Sequence, residues 1–219
     1  MCFSATASFG SAIVLTIIGV ATVRKTNTTS QLPFSFIPFV FAIQQICEGF
    51  IWLSFTDNHF LQWRYLCTYI FLTSAYIIWP VLIPYSVMKL EQNVIRKKIL
   101  LIIFGIGLST SIIYGYAIVL KPTACILLGR HILYQLSYPS WILIEGSFFY
   151  GVATMLPHIV SSTKKVWILG FLITLSYIVA RIYFHDYLIS VWCYFAALIS
   201  ATIYFILKSI NSADKKTAD

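Results

Sequence analysis

Of 219 residues, 59% are hydrophobic, 17% aromatic and only 10% charged, with a net charge of +8, against about 25% charged residues in an ordinary soluble domain. A soluble core of this size cannot hide so much apolar surface behind so thin a charged shell, and the basic residues, scattered between apolar runs, form no face for phosphates. A disordered chain, a secreted disulfide scaffold and a nucleic-acid partner are excluded; an all-α polytopic membrane bundle, with the lipid bilayer as partner, is expected.

Seven segments are long and apolar enough to cross about 30 Å of hydrocarbon: 5–23, 33–55, 66–88, 99–120, 141–160, 166–184 and 187–207. They predict a seven-helix transmembrane domain over residues 1–208 and a short polar cytoplasmic tail over 209–219. The runs are continuously apolar and do not alternate, which favours helices over a barrel. The first run is diluted by Thr6, Ser8, Ser11 and Thr16, and the first basic residue, Arg24, follows it, so it reads as a span and not as a cleavable signal. The connection 121–140 reads as the longest loop. The last two spans are joined around His185 and Asp186 in a tight hairpin.

Lys and Arg divide unevenly between the two sides. One side holds Arg24, Lys25, Lys89, Arg96, Lys97, Lys98, Lys164, Lys165, Lys208, Lys215 and Lys216; the other holds Arg64, Lys121, Arg130 and Arg181. The positive-inside rule places the N-terminus outside and the C-terminus in the cytoplasm. Trp52, Trp63, Trp141 and Trp192 then fall near outer span ends and Trp79 and Trp167 near inner ends, as interfacial anchors do.

With that orientation the costly polar groups gather in the outer half. Glu48 is about 10 Å deep in the second span at 1.5 Å per residue, with Gln44, Gln45 and Trp52 on its face. Glu145 stands one turn into the fifth span, Tyr177 and Arg181 end the sixth, and Cys193 begins the seventh; Ser4 enters from outside, and the outer loop brings His131 and Tyr134. Ionised side chains inside spans normally face the bundle interior or a wet cavity. An outward-facing pocket of Ser4, Gln44, Gln45, Glu48, Tyr134, Glu145, Tyr177, Arg181 and Cys193 is expected. The competing reading is an interhelical Glu48–Arg181 ion pair that only fixes packing.

The five cysteines, Cys2, Cys47, Cys67, Cys125 and Cys193, all map to the outer half. No C-x-x-C or H-E-x-x-H spacing signals zinc. A disulfide among Cys2, Cys67 and Cys125 is open if that face is oxidising, while Cys47 and Cys193 read as packing residues. Removal of Met1 would give Cys2 an α-amino group beside its thiol, a pair that can chelate metal or attack a carbonyl with His131 as base. His131, His185 and Glu48 could complete a metal site; no spacing names a metal or cofactor. His158 reads as interfacial and His59 as solvated. Pro38, Pro80, Pro84 and Pro157 are expected to kink their helices, and Gly105 and Gly107 to permit close packing. Three spans on either side of the fourth permit a parallel repeat.

The opening Met1-Cys2-Phe3-Ser4-Ala5-Thr6-Ala7-Ser8-Phe9, Leu32-Pro33, the run Gln44-Gln45 to Glu48-Gly49 with Trp52, and Ser190-Val191-Trp192-Cys193 with Ala196-Ala197 and Ser200 resemble a family of bacterial multi-pass membrane proteins of unknown function. The resemblance implies seven spans, with Cys2, Ser4, Glu48 and Cys193 as a set, in a bacterial inner (plasma) membrane. A retinal protein is rejected because residues 187–207 contain no lysine for a Schiff base. No two histidines have the H-x-x-x-H spacing of ceramidase-like membrane hydrolases. Three functions stay open: a small-molecule or amphiphile binding site in a transporter or sensor; a membrane-embedded hydrolase or transferase acting on outer-leaflet lipid through Cys2; and a structural or accessory subunit.

Overall fold

The computed structural model describes residues 4–121, 123–129, 131–136, 140–183 and 195–218, the side chains of 140–145 and 214–218 excepted. Ser4 starts α1 (Ala5–Val23) by accepting a hydrogen bond from the Ala7 amide at 3.2 Å, an N-cap for a first turn that has no intrahelical acceptor of its own. After a 3-10 turn (Thr29–Gln31) and the single-turn α2 (Leu32–Ser35), α3 (Ile37–Thr56) runs back along α1. Pro38 lies in the first turn of α3, where its missing N–H costs nothing, so it opens a helix and does not kink one. Gly19 sits under the ring of Phe39 and Gly49 under the ring of Phe9; a Cβ would come within 2.9 and 2.7 Å of those rings. These two notches set the antiparallel register and bring Ser8 and Ser11 to the level of Glu48.

The third span is a single unit with a defect built into it. α4 (Leu61–Thr73) passes through a π-helical turn (Ser74–Ile78) into α5 (Trp79–Leu90). The Trp79 amide reaches back five residues to the Ser74 carbonyl, and Pro80 then has no N–H for the next carbonyl, Ala75. In an apolar interior a freed carbonyl must find a partner elsewhere. The Tyr150 hydroxyl donates to Ala75 O at 2.8 Å, and Ser111 Oγ donates to Ile77 O at 2.8 Å. Pro84 in turn withholds a donor from Pro80 O, and that oxygen faces Gly107 of α6 (Val94–Leu120). Tyr150→Phe keeps the ring and removes only the donor. It is expected to cost about 1–3 kcal/mol, the penalty of an unpartnered buried carbonyl, seen as a lower Tm in detergent; an unchanged Tm would show that the π turn does not depend on Tyr150.

The connection expected as a loop folds instead into a hairpin, β1 (Thr123–Leu128) and β2 (His131–Leu136), with Cys125 opposite Tyr134 and Gly129 at φ 63 in the turn. Its buried face covers α4: Tyr134 stacks on Phe71 at 4.6 Å, and Thr68 Oγ1 donates to Cys125 Sγ at 3.2 Å. Cys47, Cys67 and Cys125 are free thiols in the apolar cluster beneath it, so Cys67 and Cys125 are not joined in a disulfide. α7 (Ser140–Val160), α8 (Val166–Tyr183) and α9 (Ala196–Ala218) complete the bundle, α9 staying helical through residues 209–218. The turn around His185 and Asp186 lies outside the described residues.

The end opposite the hairpin is closed by polar ties. Gln31 Nε2 donates to Asn211 Oδ1 at 2.8 Å and the Asn211 amide donates to the Lys25 carbonyl, linking α9 to the α1–α2 connection. Glu91, which ends α5, accepts from the Asn93 amide at 2.9 Å, Ser161 Oγ at 3.0 Å, the Ser162 amide at 2.6 Å and Ser162 Oγ.

Six of the described helical segments are long and apolar enough to cross a membrane: Ala5–Val23, Thr29–Thr56, Asn58–Leu90, Val94–Leu120, Val166–Tyr183 and Ala196–Ala213. Their outward residues are apolar. Ile13, Ile102 and Val119 are 63%, 66% and 81% exposed, a surface suited to lipid and unfavourable in water.

Candidate functional site

α3 turns one polar stripe inward, because Gln44, Gln45, Glu48 and Trp52 recur at helical spacing. All four are buried, Gln44 and Glu48 at 0% exposure. Gln45 Nε2 donates to Glu48 Oε2 at 3.2 Å. Trp79, delivered by the π turn, donates its indole N–H to Gln44 Oε1 at 3.0 Å. Trp79 and Trp52 are therefore interior residues and not interfacial anchors, whereas Trp63 and Trp167 are 41% and 63% exposed. Gln44 Nε2, Gln45 Oε1 and Trp52 Nε1 are buried and have no hydrogen-bond partner among the described residues.

Next to Gln44 lies a cavity of about 510 Å³, within the size range of small-molecule sites. Phe41 and Gln44 wall it from α3, Tyr76 and Trp79 from the third span, Tyr114 from α6, Tyr150 and Gly151 from α7, Tyr177 from α8 and Ile199 from α9. Its lining joins the cluster beneath the hairpin to the larger cluster at the opposite end. Trp79 packs on Phe41 at 4.3 Å between ring centroids, and Tyr76 on Tyr114 at 4.8 Å. No charged side chain lines it among the described residues. Phe148, Leu156 and Ile159, also in its wall, are 67%, 37% and 70% exposed on the outer surface of the bundle, so the cavity reaches the apolar exterior.

Of the residues anticipated from sequence, Gln44 and Tyr177 share this wall. Gln45 and Glu48 stand on the adjoining buried stripe. Tyr134 and His131 belong to the hairpin, away from the cavity lining. Burial lowers the His131 pKa, favouring its neutral form. Ser4 is exposed and serves as the α1 cap. Arg181 is exposed, one turn beyond Tyr177 and two residues from the end of α8, and no ion pair joins it to Glu48 among the described residues. Glu145 lies in α7 with its side chain outside the described residues, as Cys2, His185 and Cys193 are altogether. Among the described residues no three His, Cys, Asp or Glu side chains gather to hold a metal. His158, expected at an interface, is fully buried against Gly170, where a Cβ would come within 2.5 Å of it.

Sequence reasoning missed Tyr76, Trp79, Tyr114, Tyr150 and Gly151. The Trp79-Pro80 pair with Pro84 was the available signal: two prolines that free carbonyls inside a span call for polar partners on neighbouring helices.

Six described helical segments, long and apolar enough to cross a membrane and packed against one another, define a bundle compatible with a membrane protein. Within that class, the chain belongs to a family of unknown function (DUF6629), whose match runs over residues 1–218. No curated protein and no solved structure matches it.

Proposed function

We propose that this protein crosses a bacterial plasma membrane seven times, with its N-terminus outside and its C-terminus in the cytoplasm, and binds an apolar or amphiphilic small molecule drawn from the bilayer. α7, at 21 residues, supplies the seventh span beside the six already counted. The Lys and Arg asymmetry supports the orientation, and the family resemblance supports the bacterial membrane. One observation carries the functional reading: a 510 Å³ cavity, walled by aromatic and aliphatic groups, meets the lipid-facing surface at Phe148 and Ile159. A ligand already dissolved in lipid enters such a site without crossing water. The activity is reversible binding from the membrane phase, as a transporter or a sensor requires.

Gly151 supplies the test. It lines the cavity, and a Cβ there would meet no atom within 4 Å. Gly151→Phe is expected to fill the cavity while the protein still purifies as a monodisperse species. Organic extraction and mass spectrometry should find a lipid-soluble compound retained by the wild type and lost from the variant. Equal retention by both would overturn the proposal.

A further inference from the structure

The cavity opens toward one end of the bundle, and the charges at that end narrow the class of ligand; this step rests on the cavity-binding reading above. Phe148 lies near the middle of α7, and Leu156 and Ile159 lie in its last two turns. All three line the cavity and are also exposed on the outside of the bundle. The opening therefore runs from mid-helix toward Val160, the end of α7 away from the hairpin. In the orientation proposed above, this is the cytoplasmic leaflet.

A cation stands at that end of the opening. Arg96 Nη1 donates to Val160 O at 2.9 Å, which holds the guanidinium one residue beyond Ile159. Asn93 Oδ1 accepts from the Ile95 and Arg96 amides at 3.0 and 3.1 Å and fixes the first turn of α6, from which Arg96 reaches. Arg96 is exposed, and a guanidinium has five N–H donors, so the bond to Val160 leaves capacity for a further acceptor. The connection after α7 adds two more cations. Ser161 and Ser162 bind Glu91, and Thr163 Oγ1 donates to Leu90 O at 3.4 Å, which fastens this segment to the end of α5. Lys164 and Lys165 follow directly and are exposed, and Lys165 takes a left-handed φ of 68 where α8 begins. With Lys89, Lys97 and Lys98, this end gathers six cations around one acid, Glu91, which is buried and engaged by four hydrogen bonds. Trp167, 63% exposed in the first turn of α8, suits the membrane interface at the same level.

We infer that the molecule held here is a lipid amphiphile with an anionic headgroup, whose acyl chain enters the cavity past Ile159 while its carboxylate or phosphate stays outside on Arg96, Lys164 and Lys165. A planar guanidinium matches both kinds of oxyanion, and basic residues beside the cytoplasmic leaflet attract anionic lipid. The charge itself belongs at the mouth. Among the described lining residues no Lys, Arg or His offsets the desolvation of an anion drawn inside. A neutral amphiphile fits the cavity and makes no use of the cations beside its opening. A cationic one is repelled by them.

The test uses photoreactive probes with a diazirine at the far end of the acyl chain, offered to the protein in nanodiscs of zwitterionic lipid at low salt and alkaline pH. A fatty acid is compared with its methyl ester, and a phosphatidylglycerol with the matching phosphatidylcholine. Crosslinks are mapped to the peptides carrying Tyr76, Tyr114 and Tyr150, which line the cavity, and are counted above the Gly151→Phe background. At least one anionic probe is expected to label these peptides about 10-fold more than its neutral counterpart, equivalent to about 1.4 kcal/mol. Added salt should shrink the ratio, since exposed charges are screened. Arg96→Gln, and separately Lys164→Gln with Lys165→Asn, should lower anionic labelling toward the neutral level and leave neutral labelling unchanged. Asn tolerates the left-handed backbone at position 165, so the second variant keeps the connection as it is. Labelling by the fatty acid alone, or by the phospholipid alone, supports the assignment and identifies the source of the headgroup. Equal labelling by charged and neutral probes overturns the headgroup assignment while the cavity reading stands, as does anionic labelling that neither basic variant lowers. If no probe exceeds the Gly151→Phe background, the cavity reading falls as well. Because the probes are compared on the wild type, the comparison decides the assignment even where Arg96→Gln does not fold.

Discussion

Gly107→Ala is expected to abolish the folded protein, while Gly105→Ala, on the same helix, leaves it intact or firmer. A Cβ on Gly107 would lie 1.9 Å from Pro80 O and 2.9 Å from the carbon of the same carbonyl. Both atoms are backbone, so no rotamer change relieves the contact, and α5 cannot back away without breaking the bonds that tie Ala75 and Ile77 to Tyr150 and Ser111. Overpacking in a core costs typically 1–3 kcal/mol, and this contact belongs at or beyond the upper end of that range. A Cβ on Gly105 meets nothing within 4 Å. Removing a helix-interior glycine there is expected to gain about 0.5–1 kcal/mol. Denaturant titration in mixed micelles checks the pair; a Gly107→Ala protein as stable as the wild type would refute the close crossing of α5 and α6.

The second large effect is expected at Glu91. Its carboxyl is 2% exposed and accepts four hydrogen bonds, three of them from Ser161 and Ser162 in the connection between α7 and α8. Glu91→Ala is expected to cost about 2–4 kcal/mol, since hydrogen bonds to a charged group contribute roughly 1.5–3 kcal/mol each but the freed serine groups recover some of this from water. The effect carries a pH signature. Burial pushes the Glu91 pKa up, but the hydrogen bonds from Ser162, Asn93 and Ser161 outweigh it and hold the carboxyl below its ordinary value. A group whose folded pKa is depressed contributes its full stability above the unfolded pKa and loses it as pH falls through the folded one. The Tm difference between wild type and Glu91→Ala should therefore be largest at neutral pH and shrink on acidification below the ordinary glutamate range. A difference that is independent of pH would place the contribution in packing, not in the charge.

Much of the architecture was legible because lipid imposes a simple code. Runs such as 5–23 and 99–120 need only be long and apolar, and the helices α1 and α6 occupy them. The hairpin was not read, although Gly129 with Arg130 between two six-residue runs is a hairpin signal; Ile126, Leu127 and Leu128 gave β1 no alternation to follow. Depth along a span was readable, and orientation around it was not. The stripe from Gln44 to Trp52 follows from periodicity within one helix, whereas the opposite fates of Gly105 and Gly107 depend on which neighbour each helix face meets. That choice is made by shape, as when Pro84 frees a carbonyl that only a glycine can accommodate. Glu48 drew the sequence reading because a carboxylate in a span is costly, yet it is Gln44, one turn away and uncharged, that stands in the cavity wall.

An experimental structure of the wild type in lipid nanodiscs, with density examined in the cavity beside Gln44, tests the account most directly. Elongated density continuous from the Tyr76–Tyr150 wall toward Phe148 is the predicted result. A collapsed cavity, or one holding only ordered water, would contradict it.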